Sequence, residues 1–242
     1  VITETRPKKF FLKIWSNEFD VLKIIEEKSK IISMPKKREY QEKDLHPFLS
    51  YFAFYFMRTY TKTIQHTKSD KKEFGEWVHP DIVGCYFPLE EWKPEVVDFS
   101  SQIGNISIKL SSFELKRELT FTNLREAFFQ AVSNSSWANE SYLVAAEIQN
   151  DEDFLNEIKR LSTSFGIGII RLNIEDPDSS ETLLPAKIKE YLDWDTINKL
   201  TMNPDFKDFI KRIKTDIQSK EIRKEKYDRI YDKDSLINTL KG

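Results

Sequence analysis

Cysteine is nearly absent. The 242 residues hold one, Cys85, so no disulfide can form within the chain. Beside Gly84, that residue reads as a small buried side chain and not as a nucleophile. Long hydrophobic runs are absent as well. The richest, PFLSYFAFYFM over 47–57, is too short to span a bilayer and gives way to Arg58. No signal-peptide pattern opens the chain, and no membrane association is expected. Neither charge dominates: 38 basic and 40 acidic side chains leave a formal net charge of −2. That balance decides nothing about nucleic acid, because binding depends on where Lys and Arg cluster. No internal repeat is visible. These absences together point to a cytoplasmic protein, and the opening Val, in place of Met, to a fragment or processed chain.

What is present suits a packed globule. Hydrophobic content of 39% and aromatic content of 13% exceed what a disordered chain carries, and the length allows one or two domains. Residues 1–42 form a Lys-rich extension around a helix-like stretch over 17–30. PFLSYFAFYFMRTYTKTIQH predicts a long helix over 47–66, with aromatic residues on nearly every face. Such a helix should be buried against a sheet or across a two-fold interface, the latter giving a homodimer. A polar loop follows, then a strand over 77–84 that CYFP extends or follows with a second. Residues 88–100, with two prolines, read as a loop. Alternation over 103–110 and again over 112–119 predicts two strands separated by a serine turn.

Asn123 and Glu126 resemble a capping box at the start of a helix whose apolar residues are Leu124, Ala127, Phe128, Ala131 and Val132. A strand over 141–148, a helix over 151–165 and a strand over 166–173 complete a βαβαβ pattern. The fold class is therefore α/β: a mixed central sheet flanked by helices, with helical N- and C-terminal appendages. The expected division is an extension over 1–42, an α/β core over 43–194 and a charged, peripheral helical appendage over 195–242.

One constellation carries chemistry. Within a strand, residues i and i+2 share a face, so Glu114 and Lys116 point together while Leu115 points oppositely. Asp81, after Pro80 in HPDIVG, lies at the end of the earlier strand, 33 residues before Glu114. If those strands pair, two carboxylates and one ammonium converge. With the main-chain carbonyl of Leu115 and waters, Asp81 and Glu114 make an oxygen site suited to Mg²⁺. Such an ion helps form hydroxide and stabilises charge on a phosphodiester oxygen, with Lys116 orienting or activating the water. Spacing alone does not separate this from three surface charges, since a D…ExK set arises by chance in charged chains. Strand patterns at both ends and a helix directly after the second supply the context.

HPD81…FE114LK116, followed by NLREAFFQAV, resembles the PD-(D/E)xK nuclease superfamily, with its restriction-endonuclease-like fold. The stretch from EWVHPDIVG through LREAFFQAVSNSSWANESYLVAA also resembles an uncharacterised bacterial family in which a winged-helix module often precedes such a region. No winged helix is recognisable in 1–42. The resemblance covers roughly 43–173. It implies a DNA phosphodiesterase using Mg²⁺, or Mn²⁺ in its place, with Asp81 and Glu114 as metal ligands and Lys116 as the catalytic lysine. A glutamine on the helix after the ExK strand points at the site in some such families, which implies an accessory role for Gln130. Its alternative is an exposed helix glutamine, in a polar strip with Glu126 and Asn134.

Other candidates carry less. Glu76 is a further carboxylate near the motif, His79 suits a strand end better than a general base, and Glu118 suits solvent. Trp137 either plugs a helix end or stacks on nucleic acid. Lys207, Lys211, Arg212 and Lys214, with Lys36, Lys37 and Arg38, are the phosphate-contact candidates. The leading expectation is a DNA endonuclease of restriction, defence or repair type. The alternatives are a non-catalytic nuclease-fold module binding DNA or a protein, and a scaffold in which the triplet forms salt bridges.

Overall fold

The computed structural model describes residues 40–65, 68, 79–102 and 108–239. The chain divides into two units, Val1–Glu39 and Tyr40–Gly242, and all described residues lie in the second. The helix over 17–30, the cluster Lys36, Lys37 and Arg38, Glu76 and the first two residues of the strand over 77–84 lie outside them.

Helix α1 spans His46–Met57, with Pro47 in the first turn, where its missing N–H costs nothing. The helix expected over 47–66 therefore ends nine residues early. Arg58 adopts left-handed geometry (φ 53°, ψ 35°) and closes it. TYTKT, β-branched at every second residue, then continues as strand β1, Thr59–Thr63. Strand β2 is Ile82–Tyr86, so CY does extend the HPDIVG strand. The loop expected over 88–100 holds a 3₁₀ turn, Pro88–Glu90, and helix α2, Pro94–Gln102, whose proline again sits at the start. The serine turn expected near 111 is absent. Ser111 and Ser112 lie inside one continuous strand, β3, Lys109–Leu119.

The rest of the βαβαβ unit follows the sequence pattern. Helix α3 is Leu124–Ser133, β4 is Glu140–Ile148, helix α4 is Glu152–Phe165 and β5 is Gly168–Arg171. The Asn123 capping box does not form. The Asn123 side chain turns back instead, accepting from Thr120 N–H and donating to the Glu118 carbonyl, each at 2.8 Å. Asp151 does cap α4, accepting from Phe154 N–H at 3.0 Å. A short strand that the pattern did not show, β6 (Glu181–Leu184), ends the sheet. Helices α5 (Trp194–Leu200), α6 (Pro204–Ser219) and α7 (Lys233–Thr239) follow.

Among the described residues, the six strands form one mixed open sheet in chain order. β1, β2 and β3 are successively antiparallel, β3, β4 and β5 are parallel, and β6 returns antiparallel. Gly84 lets β2 pass between its neighbours, since a Cβ there would lie 2.5 Å from Thr59 Cγ2 and 3.0 Å from Phe113 Cε2. One sheet face packs Phe113, Leu115 and Val144 against Phe48, Leu49 and Phe52 of α1 and Leu236 of α7. On the other face, Leu143, Ala145 and Ile169 meet Phe128 of α3 and Phe154 of α4. Beside them, Tyr60, Val83, Cys85 and Leu110 meet Phe206, Phe209 and Ile213 of α6. The segment beyond 195, expected at the periphery, therefore builds part of the core. Its i, i+3, i+7 apolar stripe requires a sheet to cover it.

Among the described residues, no helix is long and apolar enough to cross a membrane. The aromatic helix is buried over its first two turns, including Phe48, Tyr51 and Phe52, while Tyr55 and Phe56 in its last turn are half exposed.

Candidate functional site

The register of β2 on β3 pairs Ile82 with Phe113. Continuing it by one residue sets Asp81, the residue before β2, opposite Glu114. Strand alternation then decides which side chains meet. Phe113 and Leu115 enter the core beneath α1, so Glu114 and Lys116 emerge on the opposite face, the one α3 and α6 cover. Asp81 is tied there by its own carboxylate: Oδ2 accepts from the Leu115 N–H at 2.8 Å. In extended backbone the carbonyl of a residue points to the same edge as its N–H, so the Leu115 carbonyl also faces the Asp81 side.

Lys116 Nζ lies 3.0 Å from Glu114 Oε1. The other Glu114 oxygen accepts from Asn134 Nδ2 at 3.2 Å. Asn134 sits at the C-terminal cap of α3, its N–H returning to the Gln130 carbonyl at 3.0 Å. The sequence put Asn134 in a polar strip with Gln130, but gave it no role in the site. Only the packing of α3 on β3 brings it to the carboxylate. Gln130, one turn earlier on the same side of α3, is half-buried and makes no described bond to the triplet. Gln130 Oε1 and Asn134 Oδ1 are both buried without a donor.

Electrostatics mark Glu114 as unusual. It is 7% exposed. Burial, and then the charge of Asp81, push its carboxyl up to about 7, against the pull of Lys116 and Asn134. Lys116 is shifted upward as well. Burial opposes its charge, yet Glu114, followed by Asp81 and Glu42, holds the ammonium above its usual value. The donor set fits a hard divalent cation, being two convergent carboxylates with main-chain and amide oxygens nearby. Among the described residues, no group of three His, Cys, Asp or Glu side chains is arranged to hold a metal. The charged side chains of that donor set are the two carboxylates alone.

The remaining candidates separate cleanly. His79 is buried at the entry to β2, and Glu118 lies half-buried, 3.5 Å from Arg117. Trp137 is fully buried, edge-on to Phe206 of α6 with ring centroids 5.2 Å apart, and presents no face to a base. Cys85 is buried, and burial pushes its thiol well above the usual value, with Asp216 adding to the shift. One phosphate-contact candidate is committed elsewhere and a second is loosely engaged. Arg212 pairs with the buried Asp216, which also accepts from the Tyr227 hydroxyl at 2.7 Å, and Lys211 lies 3.9 Å from Asp208. Lys207 and Lys214 are exposed.

No family model, curated protein or solved structure matches the chain at a significant level.

Proposed function

We propose that this chain is a Mg²⁺-dependent DNA endonuclease of the PD-(D/E)xK kind, hydrolysing phosphodiester bonds in restriction, defence or repair. The observation that carries the reading is the convergence of Asp81, Glu114 and Lys116 on one sheet face from two paired strands. Two like charges held together in a buried place are unfavourable on their own, and the Glu114 carboxyl is raised by its burial first and then by the charge of Asp81. A divalent cation between the two would relieve their repulsion.

Each residue then has a task. Asp81 and Glu114 would hold the ion, with the Leu115 carbonyl as a further oxygen. When bound, Mg²⁺ or Mn²⁺ supplies Lewis-acid stabilisation of the charge that builds on the phosphate. Lys116 places its ammonium beside Glu114, where it orients the attacking water and meets the same charge. Asn134 fixes the Glu114 carboxylate in one rotamer. Gln130 serves as an accessory residue from the same helix.

A competing reading keeps the nuclease-like fold as a DNA- or protein-binding module without catalysis. One observation favours it: both Glu114 oxygens, and Oδ2 of Asp81, already have protein donors. Plasmid cleavage with Mg²⁺, with and without chelator, separates the two. Asp81→Asn and Glu114→Gln should abolish cleavage while leaving DNA binding intact or tighter, because repulsion between carboxylate and phosphate is relieved. Lys116→Ala should cut poorly and still bind metal, and Gln130→Ala should lose only part of the rate. A Glu114→Gln variant that cuts as fast as the parent sinks the assignment. A parent that cuts no DNA hands the lead to the binding module.

A further inference from the structure

Lys62 stands beside the candidate site without belonging to it. On edge strand β1 it pairs with Val83, while Ile64 N–H donates to the Asp81 carbonyl at 2.9 Å. Lys62 is therefore two residues from the position opposite Asp81, and strand alternation puts it on the same face as Val83, Asp81 and Glu114. Diagonal same-face neighbours of this kind lie about 7–8 Å apart, or about two nucleotide rises along a DNA strand.

From Lys62 a cleft of about 400 Å³ opens between β1, α6 and the segment before Tyr227. Its walls carry Lys62, Lys211, Arg212 and Lys226 against Asp205 and Asp208. Two of those charges are firmly matched. Arg212 is neutralised by Asp216, and Asp205 by Lys68 at 2.8 Å. Asp228, whose field Lys62 also feels, accepts from Thr63 Oγ1 at 3.0 Å. Lys62 and Lys226 are left without an ion pair among the described residues, and Lys211 is only loosely engaged by Asp208 at 3.9 Å. Lys207, Lys211 and Lys214 fall at i, i+4 and i+7, so they form one exposed basic stripe along α6 that passes the cleft.

We propose that this cleft is the track for the DNA backbone, with Lys62, Lys211 and Lys226 contacting successive phosphates that lead away from the Asp81–Glu114 site. The proposal rests on the nuclease reading for the identity of the strand. What it adds is a position and a polarity: the strand leaves the site across the β1 edge and runs along α6. Positive side chains that are exposed or half-buried, at most loosely paired and beside a proposed phosphodiester site match a polyanion.

Binding of a short random-sequence duplex, followed by fluorescence anisotropy in chelator, tests it apart from cleavage. The salt dependence is measured for the parent, for Lys62→Gln, Lys211→Gln and Lys226→Gln, and for the triple variant. Each replacement should weaken binding several-fold and lower the slope of log K against log salt by about one. Asp208→Lys should tighten binding. Lys159→Gln, on α4 and away from the cleft, should change nothing. All these side chains are exposed or half-exposed, so thermal melts should match the parent. If the triple variant binds with the affinity and slope of the parent while the parent still cuts plasmid, the track is wrong and the nuclease reading stands. If the triple variant loses binding but the parent never cuts, the track stands and catalysis falls. A parent that binds no DNA overturns the track.

Discussion

Glu114 is the residue on which the proposed chemistry turns, and its environment makes two predictions. Burial and Asp81 hold its carboxyl near 7, above the usual value of 4.5. A raised acid keeps its proton in the folded state while the unfolded chain gives it up. Its cost is therefore absent below about pH 4.5, grows as pH rises toward 7 and is complete above that. In chelator the parent should lose stability between pH 5 and 8, by a few kcal/mol at most. Glu114→Gln should remove that component. Mg²⁺ added at pH 8 should raise the parent Tm and leave that of Glu114→Gln unchanged. Equal pH slopes for parent and variant in thermal melts would refute this account. Asn134 is the second test. Losing its hydrogen bond frees the Glu114 carboxylate, so Asn134→Ala should weaken Mg²⁺ binding in calorimetry by roughly tenfold, the scale of outer-shell effects. Unchanged affinity would make Asn134 a plain helix cap.

At the scale of elements, the sequence was readable where one period ran without competition. The α3 and α4 helices and β4 are read from their apolar residues, and α4 and β4 start within one residue of the expected positions and end on them. It misled where residues suit two structures. RTYTKT continues the aromatic run of α1, and only the left-handed Arg58 shows where the helix stops. Ser111 and Ser112 look like a turn in sequence. In the fold Ser112 Oγ donates to Ser141 Oγ at 2.8 Å across the parallel pair, which satisfies a buried hydroxyl inside β3. The charged tail misled most. Its high charge describes the outer side of α6, while Phe206, Phe209 and Ile213 line the core. Phe206→Ala should therefore cost about 3–5 kcal/mol in denaturant unfolding. A loss near zero would restore the tail to the periphery.

Across the whole molecule, local pattern and global fold agree on class: an α/β protein with one mixed sheet between helical layers. The chain by itself determined that much, because amphipathic period and strand–helix alternation are properties of neighbours in sequence. It also placed Glu114 and Lys116 on one face, since a strand's alternation needs no partner. Three matters waited for tertiary structure. The register of β2 on β3 set Asp81 opposite Glu114, and no local rule specifies a pairing between residues 33 apart. The docking of α3 brought Asn134 to the carboxylate, and the docking of α6 set a basic stripe beside β1. The reason is the same in each case: a contact between distant segments depends on how apolar faces pack together, and packing is decided by the sum of all the faces at once.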